Sequence, residues 1–175
     1  MRKANYDKFP STKLTGMLVQ GWDSIISMLK KKMDARKVLA VDLYTGVYEE
    51  EVLDAFSKEF SGRVMNVRDL MKPEKEIQTL TERFMTEDVL FGYVTNLKLE
   101  DYLDADKVAA ARKQISEAKE TIVIIGTGAA VVAPQDAMVV YADMARWEIQ
   151  QRFRRHEVKA LGIDLSLIHI SEPTR

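Results

Sequence analysis

The sequence predicts an α/β protein with a mostly parallel sheet flanked by helices. Short apolar runs rich in β-branched residues recur at "KVLAVD" (37–42), "GRVMNV" (62–67), "TIVIIG" (121–126) and "AMVVYA" (137–142). The first and third are apolar almost throughout, as strands covered on both faces must be. Amphipathic stretches of helical period separate them, and strands alternating with helices of this length indicate βαβ units.

Taken in order, residues 1–21 hold no sustained period. "FPSTKLTG" has the Pro, Ser, Thr and Gly of turns, so an irregular lead-in with a short hairpin is expected. Trp22, Ile25, Ile26, Leu29 and Met33 fall at helical spacing, and Lys30, Lys31 and Lys32 suit the negative end of that helix. Lys37 to Asp42 is the first strand and opens the main domain, residues 37–164, after a lead-in region of residues 1–36. Val52, Phe56 and Phe60 recur at i, i+4, i+8 in "EEEVLDAFSKEF", the next helix. After the strand at 62–67 the chain is polar and mixed, with a short helix over Glu74 to Arg83 and a loop-rich stretch up to Lys107. "KVAAARKQISEAKE" is a helix, "TIVIIGTGAA" a strand with a glycine turn, and "AMVVYADM" another strand. "ARWEIQQRFRRHEVKALG" closes as a helix ending near Gly162.

Composition narrows the chemistry. With 26 basic and 27 acidic residues, nothing global points to nucleic acid or to a membrane surface. The chain has no cysteine, which excludes disulfides, thiolate metal sites and cysteine nucleophiles. "MRKANYDKFP" lacks an apolar signal core and no apolar run approaches about 20 residues, so a cytoplasmic protein is expected. The last eleven residues, "LSLIHISEPTR" (Leu165 to Arg175), resemble letter for letter the translation of a transposase adapter used in sequencing libraries. They are set aside as a non-native tail, with the gene expected to continue beyond Asp164. Without them His156 is the one histidine, and net charge is unchanged because Glu172 and Arg175 leave together.

"VLAVDLYTGVYEEEV" (38–52) is the stretch closest to chemistry, a strand passing through a glycine turn into a helix, as in a phosphate-binding loop. A loop of the form GxxxxGK[ST] needs glycines so that backbone N–H groups can wrap phosphates, a lysine to offset their charge, and a hydroxyl to hold magnesium. Here Leu43 and Tyr48 occupy the glycine positions, Glu49 the lysine position and Glu50 the Ser/Thr position. Glu49, Glu50 and Glu51 suit the positive end of a helix, each favoured by roughly 0.3–1 kcal/mol, but they repel a phosphate. Asp42 and Gly46 are what remains of a site: Asp42 is the catalytic candidate, because it ends the first strand where ligands of α/β folds bind.

Gly126 and Gly128 in "IIGTGAA" are further ligand-binding candidates, although the third glycine of a dinucleotide fingerprint is missing and a tight turn is the better reading. Asp143, the nearest acidic residue at the right distance, reads better as a helix cap. Arg146, Arg152 and Arg155, with Arg154, make the last helix basic, able to close over phosphates or simply forming a solvated face, the favoured alternative. Trp147, Ile149 and Phe153 suit a core or interface better than a stacking platform, and no basic patch interleaved with aromatics supports nucleic-acid binding. His156 follows two arginines with no carboxylates clustered at helical spacing, so no metal site is expected around it.

"NYDKFP" with "QGW", "DLYTGVYEEEV", "LFGYVTNL", "IVIIGTGAA" and above all "YADMARWEIQQRFRRHEVKALGID" resemble the N-terminal module of bacterial class I mannose-6-phosphate isomerase-like proteins, over essentially Met1 to Asp164. The resemblance implies a three-layer, P-loop-kinase-like fold with an eroded nucleotide loop, incomplete at its C-terminus and preceding a cupin-type isomerase domain. It further implies sugar-phosphate metabolism, with zinc held on the missing cupin barrel by ligands that do not map to this chain. The fragment itself is then expected to be inactive and to hold no cofactor. Three functions compete: an accessory, pseudo-kinase-like domain, structural or binding a phosphorylated small molecule; a nucleoside or sugar kinase with a non-standard loop and Asp42 as base; and a module docking the missing cupin domain.

Overall fold

The computed structural model describes residues 10–13, 15–33, 37–60, 62–87 and 92–163. Residues 1–9 of the lead-in and the adapter-like tail lie outside this range, as does part of the loop-rich middle. From residue 10 to residue 20 the described chain is irregular, and the expected short hairpin falls in part on residues outside the described range.

The described residues form six helices and four strands, in the order α1 (Trp22–Met33), β1 (Val38–Leu43), α2 (Glu49–Glu59), β2 (Arg63–Asn66), α3 (Glu74–Glu82), α4 (Ala105–Glu117), β3 (Ile122–Gly126), α5 (Ala129–Val132), β4 (Met138–Ala142) and α6 (Arg146–Arg154). Short 3-10 turns over Val67–Leu70 and Leu99–Tyr102 flank α3. Asp104 caps α4, its carboxylate accepting from the N–H groups of Asp106 and Lys107, so the helix starts ahead of the expected Lys107. α5 lies in a stretch whose apolar, glycine-containing pattern read as strand and turn; at four residues it is too short to show a helical period.

The four strands form one parallel sheet in the order β2-β3-β1-β4. β3 is buried along its whole length, and β1 pairs with β3 from Val38↔Ile122 to Asp42↔Gly126 and with β4 from Leu39↔Met138 to Leu43↔Ala142. One layer sets α1 and α2 against the sheet, with Ile26, Leu29, Val52 and Phe56 packed on Leu39, Val41, Val123 and Ile125. The other sets α4 and α5 against the opposite face, with Val108, Ala111, Ile115 and Val132 on Ala40, Ile122 and Ile124. Successive side chains of a strand point to opposite faces, so strands apolar throughout feed both layers. This is a three-layer α/β fold.

The two layers also follow from the connections. The step from β1 to β2 runs one way along the sheet; the steps from β2 to β3 and from β3 to β4 run the other way. Crossovers of one hand running in opposite directions must lie on opposite faces, and they do. β1 and β3 are therefore neighbours whose chains leave their carboxyl ends toward opposite layers, which opens a crevice at the switch point. β4 forms an edge, with Val139 and Tyr141 exposed. No helix of the described residues is long and apolar enough to cross a membrane.

The last helix differs from expectation. It stops at Arg154, not near Gly162, because His156 takes a left-handed conformation (φ 56°) and the chain turns back toward the sheet. Asp143 does not cap α6: the N-cap is Ala145, and Asp143 Oδ1 accepts instead from the N–H of Met144 at 2.7 Å. Of the three apolar residues assigned to a core or interface, Phe153 is buried and Ile149 half-buried, but Trp147 is 69% exposed.

Candidate functional site

Two turns leave the carboxyl ends of β1 and β3, and they are built differently. After β1 the chain makes a tight turn, with Val47 N–H donating to Tyr44 C=O at 3.2 Å and Gly46 at φ 95°. A positive φ at the third residue of a β-turn is where glycine is needed. Tyr44 N–H also donates to Ala142 C=O, which ties the turn to β4. α2 begins at Glu49 with Tyr48 as its N-cap, and the Tyr48 side chain makes no cap hydrogen bond. Leu43, in the first glycine position of a phosphate loop, is buried at the end of β1.

α6 sits directly on this turn. A Cβ on Gly46 would lie 3.0 Å from both Cγ1 and Cγ2 of Ile149. Arg152 Nη1 donates to Gly46 C=O at 2.9 Å, and its guanidinium lies over the Tyr48 ring at 3.6 Å. With its side chain 14% exposed, Arg152 is not part of a solvated face, contrary to the favoured reading of the basic helix. It neutralises a carbonyl dipole and stacks on an aromatic face, two roles the planar guanidinium fills well.

The other turn is held by Asp42. Its Oδ1 accepts from Gly128 N–H at 3.1 Å and its Oδ2 from Ala130 N–H at 2.9 Å. The carboxylate thus spans the β1–β3 crevice, and both oxygens are engaged by the start of α5. Gly126 (φ 135°) and Gly128 (φ 90°) form the tight turn expected of them; a Cβ on Gly126 would meet Val67, and one on Gly128 would meet Leu99.

A cleft of about 590 Å³ opens at the same edge, between the β1 turn, the start of α2, Asn66 and Arg68 after β2, Thr127 after β3, and residues 157–162. Of the candidate residues only Gly46 lines it; Asp42, Gly126, Gly128, Arg146, Arg152 and Arg155 do not. Four of its lining residues are acidic (Glu49, Glu50, Glu51, Glu157) and two basic (Arg68, Lys159). Arg68 Nη2 pairs with Glu49 Oε2 at 3.4 Å, and Glu51 Oε1 accepts from Trp22 Nε1 at 3.0 Å. A phosphate entering here meets an acidic wall, at a cost of about 4 kcal/mol per like-charged pair at 4 Å and an effective dielectric of 20.

Arg155 faces carboxylates: Nε donates to Glu157 Oε1 at 2.7 Å, and Nη2 donates to Glu157 Oε2 at 2.9 Å and to Glu148 Oε1 at 3.1 Å. Hydrogen bonds from Arg155 first, and from Tyr48 second, hold the Glu157 carboxyl down to about 2, while Glu157 and then Glu148 push Arg155 up. The two side chains keep 35% and 47% of their surface in water, so screening discounts what the pair adds to stability. Arg146 is exposed at the start of α6, away from the cleft. Among the described residues no group of three or more His, Asp or Glu is placed to hold a metal ion.

Sequence reasoning missed Tyr48 as a donor, Glu157 as its acceptor and Ile149 as the lid on Gly46. Tyr48 Oη and Glu157 Oε2 are 2.6 Å apart across 109 residues of sequence, and no local pattern signals such a pair. Gly162 was the available clue: after a helix that had already ended it marks a turn, where its left-handed φ of 68° brings the chain against Ile77.

No curated protein and no solved structure matches the chain. The family described as a domain of unknown function (DUF8485) matches residues 21–171, and the chain belongs to that family.

Proposed function

We propose that this domain is an accessory module without phosphotransfer activity, in which the strand, turn and helix of a phosphate-binding loop serve as a structural joint. The observation that carries this reading is the seat of α6 on the turn: Ile149 covers Gly46, and Arg152 takes the Gly46 carbonyl and the Tyr48 ring. Glu49 and Glu50 stand where a lysine and a hydroxyl would be needed, which removes charge compensation and magnesium ligation together. Asp42 as a general base is disfavoured because both its oxygens already accept backbone N–H groups. The wider setting, an N-terminal part of a mannose-6-phosphate isomerase-like protein of sugar-phosphate metabolism, rests on the resemblance of Met1 to Asp164 alone.

Isothermal titration of the purified domain with ATP, GTP and hexose 6-phosphates, each with magnesium, tests the reading. Heats indistinguishable from buffer injections are expected for the nucleotides. A saturable ATP signal accompanied by ADP release, and lost in Asp42→Ala, would restore the kinase alternative. A signal from a hexose 6-phosphate alone would keep the accessory role and make it a ligand-binding one.

A further inference from the structure

One wall of the cleft belongs to no helix or strand. α6 ends at Arg154, and residues 157–161 cross beside the opening before the chain turns at Gly162. This segment is bracketed by two left-handed residues, His156 (φ 56°) and Gly162 (φ 68°). His156 is the one non-glycine residue with positive φ among those described. That conformation is uncommon outside glycine, and such positions recur at switch regions and hinges.

At the end of α6, Arg155 Nε and Nη2 hold the Glu157 carboxylate at 2.7 and 2.9 Å. Val158 is buried, and Leu161 packs against the core layer of α4 and α5. Near the hinge, Glu157 N–H donates to Arg152 C=O at 2.9 Å. Across the cleft, Tyr48 Oη donates to Glu157 Oε2 at 2.6 Å, joining the segment to the N-cap of α2. Tyr48 also lines the cleft and belongs to the turn at its floor.

We propose that residues 157–161 are a strap that opens and closes the cleft by pivoting at His156 and Gly162, with the Tyr48–Glu157 hydrogen bond as its latch. A molecule in the cleft that engages the Tyr48 hydroxyl competes with Glu157 for it, so occupancy and strap position are linked. The inference concerns the motion of one wall and stands whether or not the turn ever meets a phosphate.

Lys159, exposed in the middle of the strap, supplies a direct readout, because trypsin holds several residues around the cleaved bond in extended form, which displacement of the strap releases. Lys107, inside α4, reports on opening of the core. In the intact protein, Tyr48→Phe keeps the ring under Arg152 and removes only the donor. Cleavage after Lys159 is expected to rise at least about threefold, with cleavage after Lys107 unchanged. Glu157→Ala, which removes the acceptor together with the Arg155 pair, should raise it as well, and Tyr48→Phe should add nothing further in the Glu157→Ala background, since the latch bond is already gone there. An unchanged Lys159 rate in Tyr48→Phe overturns the latch. So does a rise shared in equal proportion by Lys107, which would mean global unfolding, or full additivity in the double variant.

Discussion

The two turns at the carboxyl edge of the sheet share one task and solve it with opposite charges. After β3, the backbone N–H groups of Gly128 and Ala130 are met by an anion from within the chain, the carboxylate of Asp42. After β1, the carbonyl of Gly46 is met by an internal cation, Arg152. In folds that bind phosphates at this edge, N–H groups of a glycine-rich turn point at the ligand. Here one turn has already taken its anion from β1, and the other presents a carbonyl to an arginine and a row of glutamates to solvent. The edge at which α/β folds bind anions is here a pair of internal joints.

Removing the internal anion is expected to have the largest effect. Asp42→Ala strands the part-buried Gly128 N–H, leaves the exposed Ala130 N–H to water, and should lower the unfolding free energy by roughly 1.5–3 kcal/mol in urea denaturation. Asp42→Asn, which keeps one acceptor, should cost about half as much. A loss below about 0.5 kcal/mol, the range of an ordinary surface change, would break the comparison by showing that the β3 turn holds its shape unaided.

Disturbing the joint after β1 should cost less. Gly46→Ala places a side chain at φ 95° and against Ile149, with an expected loss of about 1–2 kcal/mol. Measured against the Ile149→Ala single variant, Gly46→Ala should lose its steric cost and keep its backbone cost, so incomplete recovery in urea melts is the expected result. Complete recovery would assign the whole cost to contact with α6.

The smallest effect is one of pH. The folded Glu157 carboxyl lies at about 2, below its ordinary 4.5, so its contribution is fully present above about pH 4.5 and fades as pH falls toward 2. Arg155, pushed up by the same contacts, stays charged throughout. Amide exchange across residues 157–161 should therefore quicken as pH is lowered through that window, relative to the intrinsic rate, while β3 remains protected. A Glu157 carboxyl carbon titrating near 4.5 by NMR would show that the latch does not form in solution.

Much of this was legible in the sequence, because the signals are local. The spacing of Val52, Phe56 and Phe60 and the unbroken apolar run of β3 announce one helix and one doubly covered strand through side-chain periodicity alone. The presence of Glu49 and Glu50 where a phosphate-binding loop has a lysine and a hydroxyl was equally readable, since it depends on residue type at a fixed distance from a turn. The end of α6 was not: "RRHEVKALG" has helix-compatible composition throughout, and only burial of Val158 and the turn at Gly162 favour leaving the helix at Arg154. Periodicity likewise locates a face without saying whether another element covers it: on the same helix Phe153 is buried and Trp147 exposed.

By itself, then, the sequence determined most of the helices and strands, the parallel character of the sheet and the absence of a lysine at position 49 and of a Ser/Thr hydroxyl at position 50, all properties of neighbouring residues. Only the tertiary structure decided the strand order and the fates of Asp42 and Arg152. Their partners lie 86, 88 and 106 residues away. Strand order brings β1 beside β3 and the path of α6 carries Arg152 back over Gly46; a hydrogen bond across such a separation leaves no period or spacing behind.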